Sequence, residues 1–344
     1  MKRLLSLLAV SCLASSTSAA PTINGVLELD YGGPLAVQSV ETDFGDSSGG
    51  LASGGELDAG YAVIDGGRLY VMLTGNIENN FNKLSVFIDS VPGGENVLTN
   101  IPQYDVNNVS QNFGGLTFDS GFNADYHLFG RWGAANGNTF EVDVANRAGG
   151  GNASVGVNGA AASLGAGMPI QVGVITPGNN GMNNLGNRTL TGFLTSNVNF
   201  GFNNNNSGGV DASNTPPMSG VQAANVPAAL AVTTGFEFSM ALADLGNPSV
   251  GSQIKIHAVY GNGDNNYHSN QTLAGLPVGT IRLGGDGTGG FTGTLSGVNF
   301  NDFAGNQFFT IQVVPEPTSS LLIAIALATL VCWRGCRTLF AASM

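Results

Sequence analysis

Leu57-Asp-Ala-Gly-Tyr-Ala-Val-Ile-Asp-Gly-Gly-Arg-Leu-Tyr-Val-Met-Leu-Thr-Gly-Asn76 holds two apolar runs, Tyr61 to Ile64 and Leu69 to Leu73, parted by Asp65-Gly66-Gly67. Runs this short, rich in Val, Ile and Tyr, read as strands, and paired glycines between them permit the positive φ of a tight hairpin. The next strand is Leu84 to Ile88, closed by Asp89-Ser-Val-Pro-Gly-Gly94. Further along, strict alternation recurs. Phe236-Glu-Phe-Ser-Met-Ala-Leu242 places Phe236, Phe238, Met240 and Leu242 on one face, with Glu237 and Ser239 on the other. Ile254-Lys-Ile-His-Ala-Val-Tyr260 turns Lys255 and His257 outward, and Phe140 to Val144 and Phe309 to Val313 repeat the pattern. A period of two, repeated over many short segments with turn residues between them, predicts an all-β antiparallel sandwich of jelly-roll type.

Composition agrees. Glycine supplies 52 of 344 residues and charged residues only 10%, a balance of turn formers over helix formers. One helical turn is expected at Leu242-Ala-Asp-Leu245, closed by Gly246 and Pro248. Residues 149–227 are dominated by Gly, Asn and Ala, with the run Asn203 to Asn206 and clean alternation only from Thr189 to Phe200. That stretch reads as a flexible insertion or as a seam between two sheets, within a single domain spanning 20–313.

The two ends differ from this body. Lys2 and Arg3 precede Leu4-Leu-Ser-Leu-Leu-Ala-Val10, and Ser16-Thr-Ser-Ala-Ala20 supplies small residues, the three-part order of a secretory signal over 1–19 with cleavage after Ala19 or Ala20. At the other end, Val314-Pro315-Glu316-Pro317 is followed by the uncharged run Leu321 to Trp333 and then by Arg334 and Arg337. As helix, that run is about 20 Å long. Extended back to residue 318 it remains short for a hydrocarbon core of about 30 Å, so the span at about 318–333 requires a thin bilayer. The arginines favour a cytoplasmic C-terminus. Such a tail could also serve as a plain anchor without processing.

The order of box, span and basic residues over 314–344 resembles a PEP-CTERM sorting signal. The resemblance implies recognition by an exosortase-type membrane protease, export, and at least transient attachment to the cell envelope. The body is distantly similar to DOMON and family 9 carbohydrate-binding-module sandwiches, through Leu57 to Asn76, Lys83 to Asp89 with Pro92-Gly-Gly94, and Gly235 to Leu242 with Leu245-Gly-Asn-Pro248. That likeness implies a sandwich ectodomain and carries over neither a haem ligand nor a sugar platform.

Charge and cysteine usage narrow the function. All 23 acidic residues but only seven of the eleven basic ones fall between residues 20 and 317. Such a body lacks the clustered cations that displace counterions from nucleic acid. Cys12, Cys332 and Cys336 lie in the terminal segments, so the body has no disulfide to form.

Two catalytic signatures are missing: the body contains no HExxH and no CxxC. Gly285-Asp-Gly-Thr-Gly-Gly290 matches a dinucleotide fingerprint in letters, yet it is flanked by apparent strands, Ile281 to Leu283 and Phe291 to Leu295, where a nucleotide site needs a helix. His127, His257 and His268 read as scattered surface histidines. Acidic turns, Asp89 with Glu95, Asp119 with Asp125, and Asp264 in Gly261 to Asn266, offer the oxygen ligands of a structural calcium, the only cofactor expected. Tyr126 and Trp132, with Phe129, Tyr104, Tyr260 and Tyr267, offer rings for stacking on an extracellular polysaccharide. The expected function is therefore that of an exported, non-catalytic surface or matrix component. The alternative is a polysaccharide-active hydrolase, which needs two facing carboxylates that sequence does not single out.

Overall fold

The structure, a computed structural model, describes residues 20–44, 55–101, 109–133, 139–147, 158–164, 170–177, 193–206, 208–211 and 223–314. The expected signal segment 1–19 and the tail from Pro315 onward, with Glu316, Pro317, Arg334 and Arg337, lie outside the described residues. Ala20 and Val314 are the exposed outermost described positions. Among the described residues no helix is long and apolar enough to cross a membrane.

Among the described residues thirteen strands form two antiparallel sheets. The first runs in the order β1 (Ala36–Val37), β2 (Leu57–Asp65), β3 (Arg68–Gly75), β10 (Gly235–Ala241), β9 (Val198–Asn203) and β8 (Ile170–Ile175). The second runs β12 (His268–Leu273), β11 (Gln253–Gly261), β4 (Lys83–Asp89), β5 (Tyr126–Gly133), β6 (Thr139–Asn146) and β7 (Asn158–Leu164). β13 (Phe309–Gln312) shares the outer edge of β11 with β12, taking its first half from Gln253 to Ile256. The 149–227 stretch, left open between insertion and seam, holds β7, β8 and β9, and the chain passes between the sheets from β7 to β8.

The expected hairpin forms. Asp65 pairs with Arg68, and Gly66 and Gly67 turn at φ +55° and +71°, values that cost a side chain heavily and glycine nothing. The expected turn at Leu242 to Leu245 also forms: the Leu245 N–H donates to the carbonyls of Ala241 and Leu242, and Gly246 ends it at φ +77°.

Between the sheets lies the main core. Leu69, Val71 and Leu73 of β3 and Phe236, Phe238 and Met240 of β10 face Leu84, Val86 and Ile88 of β4, Phe140, Val142 and Val144 of β6, and Ile254 and Ile256 of β11. Phe140 stacks on Phe202, ring centroids 4.4 Å apart. Each such side chain contributes about 1.5–3 kcal/mol on removal from water, and it is the alternation of the strands that aims them at one another.

Both outer faces are covered as well. Segments 90–101, 109–124 and 274–308 lay Leu98, Phe113, Leu116, Phe118, Phe122, Leu276, Leu283, Leu295, Val298 and Phe300 over the back of the second sheet, around Phe87 of β4. Here one expectation fails: Ile281 to Leu283 and Phe291 to Leu295 are irregular rather than strands. Their apolar residues, Leu283 and Leu295, are spent on this cover, not on a ladder. The glycine run between them is nonetheless a turn, with Asp286 Oδ1 accepting from the N–H groups of Thr288 and Gly290.

Residues 20–44 cover the back of the first sheet, where Tyr31 joins Tyr61, Tyr70 and Met72. Glu237, on the polar face of β10, is fully buried beneath this strap. It accepts from the N–H groups of Asn24 and Gly25 and from the Tyr31 hydroxyl at 2.7 Å. Tyr31→Phe removes that last bond and leaves a buried carboxyl oxygen short of a donor. Stability should fall by about 1–2 kcal/mol, read as a lower midpoint at unchanged slope in urea unfolding.

Candidate functional site

The residues expected to bind calcium are not assembled into one site. Asp89 Oδ2 takes the Lys255 ammonium at 2.8 Å and the Asn123 N–H at 3.0 Å. Glu95 is paired with the buried Arg147 guanidinium and with the Thr99 hydroxyl. Asp264 is exposed at a turn, where it is its backbone carbonyl that accepts from Asn112 Nδ2. Asp89 and Glu95 therefore each have their own cation. Asp125, expected beside Asp119, accepts from the N–H groups of Ser90 and Val91, and Asp119 accepts from Gln307 N. Desolvation is the leading cause that pushes both carboxyls up, against the pull of those N–H donors.

The aromatic residues expected to meet a sugar are committed to packing. Tyr126 and Tyr260 are buried in the main core, and Trp132 is half-buried against it. Phe129 lies buried under the Lys83 ammonium, 4.9 Å from its ring centre. Tyr104 lies outside the described residues. Tyr267 remains half-exposed, tilted against Phe44 with centroids 4.9 Å apart, and its hydroxyl donates to the Gly289 carbonyl.

The histidines require a correction: they are not surface residues. Register sets His257 of β11, Phe87 of β4 and His127 of β5 side by side in one row across the second sheet. His257 does turn away from the main core, as alternation demands, but the phenylalanine cover closes over it. His127 stacks on Phe87 at 4.2 Å, His257 lies edge-on to Phe300 at 4.6 Å, and His268 meets Phe113 at 6.1 Å. His257 Nδ1 donates to the Gln307 carbonyl at 2.7 Å. Burial holds the imidazoles of His257 and His268 down at about 3, and holds His127 well below its ordinary value with help from Arg147 and Lys83. Neutral rings pressed between phenylalanines are packing elements.

A different group of carboxylates meets at the end of the sandwich where β2 begins. Leu57 pairs with Gly75 and Ala59 with Thr74, so Asp58 is the extra residue of a β-bulge. The Thr74 hydroxyl repairs the interrupted ladder, bonding both the N–H and the carbonyl of Ala59. Bulges re-aim a side chain. Here the re-aimed Asp58 is fully buried, with Oδ1 accepting from Val210 N at 2.9 Å. Asp211 Oδ1 accepts from Thr42 N at 2.9 Å. A Cβ placed on Gly209 would stand 2.5 Å from Glu56 Oε1 and 2.6 Å from Asp58 Oδ1, so only glycine lets the 208–211 segment approach.

Glu41, Glu56, Asp58 and Asp211 are all buried at this corner. Desolvation first, then the charge of Asp211, raises the carboxyls of Glu41 and Asp58, the second well above its ordinary range. Asp211 is itself raised by burial. Sequence reading passed over this group because its members are up to 170 positions apart. The available signal was Glu56-Leu-Asp58, two acids flanking the apolar residue that opens a strand.

Comparison with known protein families, with characterised proteins and with solved structures returns no match for this chain.

Proposed function

We propose that this chain is an exported, surface-associated, non-catalytic protein, delivered through its C-terminal tail to serve as a structural or adhesive component of the cell envelope or matrix. The observation that carries the reading is the order Val314-Pro315-Glu316-Pro317, apolar run, Arg334 and Arg337, directly after the last strand of a sandwich. Val313 is still buried and Val314 is exposed, which supports an accessible recognition box for an exosortase-type protease. Further support comes from four carboxylates of the body that hold its covers in place: Glu237 on the N-terminal strap, Asp43 on Arg282, Asp89 on Lys255, and Glu95 on Arg147. Mass spectrometry of the mature protein from cells tests the reading. The expected species begins after Ala19 or Ala20 and ends near Pro315 to Pro317. Recovery of an intact Met344 on the mature surface protein would reduce the tail to a simple anchor.

The adhesive variant of this reading rests on one patch. Phe291 is 69% exposed, two residues beyond the Gly289 carbonyl that holds Tyr267 against Phe44. Exposed rings beside a half-exposed aromatic pair suit stacking on sugar faces. Retention on insoluble polysaccharide should drop several-fold in Phe291→Ala, a change confined to an exposed side chain. Equal retention of the wild type and Phe291→Ala would remove this patch as the contact.

A further inference from the structure

We propose that the corner formed by Glu41, Asp58 and Asp211, with Glu56 beside them, binds a hard divalent cation, calcium in preference to transition metals. The site is separate from the acidic turns, where Asp89 and Glu95 are paired with Lys255 and Arg147 and Asp264 is exposed to solvent. It does not depend on the proposed surface role.

Three observations carry the inference. First, the second oxygen of Asp58, Oδ2, and Glu41 Oε2 are buried and receive no hydrogen bond, although both residues are at most 1% exposed. A buried ionised oxygen without a donor costs several kcal/mol unless a proton or a cation meets it. Asn206, three residues before Gly209, buries both atoms of its amide in the same unsatisfied state.

Second, no base neutralises these carboxylates: among the described residues no Lys or Arg forms an ion pair with Glu41, Asp58 or Asp211. The neighbouring arginine, Arg282, is already taken by Asp43, through Nε at 2.9 Å and Nη2 at 3.1 Å. Third, the backbone has been bent to make the arrangement. The bulge inserts Asp58, and Gly209 at φ +148° brings the 208–211 segment into contact with Glu56 and Asp58, both local costs that packing alone does not require.

The donors determine the class of ion. Carboxylate and amide oxygens are ligands for calcium or magnesium, whereas thiolate and imidazole select zinc and copper. The body has no cysteine, and its histidines are stacked on phenylalanines of the other layer. Calcium accepts irregular sets of six to eight oxygens, whereas magnesium demands an octahedron. Among the described residues no three His, Cys, Asp or Glu side chains are already drawn around one point. Like charges without a counter-ion stand apart, and the cation supplies the attraction that closes them.

The competing arrangement is that these carboxyls hold protons, and the two make opposite predictions. Purified full-length protein is stripped with chelator and titrated with calcium, following the melting temperature, and with terbium, following emission sensitised by Tyr61, whose hydroxyl feels the Asp58 charge. Expected are one ion per chain by native mass spectrometry and a rise in Tm of about 5–10 °C at a hundredfold excess over Kd. Terbium emission should be displaced by calcium. Asp58→Asn and Asp211→Asn should each lose most of the Tm response and the emission, and Glu41→Gln should weaken both. Wild-type protein with no calcium-dependent rise in Tm and no terbium emission would overturn the proposal. So would a response retained in both aspartate variants, or an Asp58→Asn protein that melts higher than calcium-saturated wild type.

Discussion

Arg147→Met should lower the stability of the fold by about 3–5 kcal/mol, the cost of stranding one member of a buried ion pair. Arg147 directly follows β6 with its side chain wholly buried, and its Nε and Nη2 both reach Glu95 Oε2, the former at 2.7 Å. Nη2 also reaches the Thr99 carbonyl at 3.2 Å. The pair therefore clamps the 95–99 segment of the phenylalanine cover onto the second sheet. Methionine fills the volume but leaves Glu95 buried with only the Thr99 N–H and hydroxyl as donors. Against a typical net stability of about 5–15 kcal/mol, much of the molecule's margin would be lost. Urea unfolding reads the loss directly. The double variant Arg147→Met with Glu95→Gln should recover a large part of it, because the unpaired charge is then gone; no recovery would mean that packing of the guanidinium matters more than its charge.

Acid should open the same layer through the histidines. The folded values of His257 and His268 are depressed to about 3, below the ordinary 6.5. Their contribution is therefore fully present above pH 6.5 and is lost progressively as pH falls toward 3, since the unfolded chain takes up protons first. At pH 4.5 each histidine has lost about 2.7 kcal/mol, and the two together about 5 kcal/mol. The raised carboxyls Glu41, Asp58, Asp119, Asp125, Asp211 and Glu237 oppose this, because the folded state binds their protons at higher pH than the unfolded one. Comparison with His257→Asn isolates the histidine: its amide nitrogen can donate to the Gln307 carbonyl as Nδ1 does. Between pH 7 and pH 4.5 the wild type should lose about 2.7 kcal/mol more than this variant. Parallel stability curves would show that His257 is not held neutral by burial.

Strand faces were legible where packing follows a period of two. Phe236, Phe238 and Met240, or Ile254 and Ile256, could be assigned to a core before any partner was known, because a strand cannot bury one face without aligning alternate residues. What an outward face then meets was not legible. Glu237 and His257 obey the alternation and are nevertheless buried, one by the strap at residues 20–44, the other by loops some 30–50 positions further along the chain and by a second set before it. The same limit explains Tyr126, read as a ring for stacking on sugar, which its neighbours in space place in the main core.

The candidate cation corner lay further still from view. Asp58 lies just before the apolar run Tyr61 to Ile64, and the bulge that re-aims it leaves no mark in residue type. Sequence alone determined that this body is an acidic, cysteine-free β-structure, because periodicity and composition are local properties of the chain. Tertiary structure alone decided which polar groups are buried and with whom. That depends on the register of strands and the path of covers between residues as far apart as Glu41 and Asp211, whose desolvation and mutual repulsion exist only once the chain has folded.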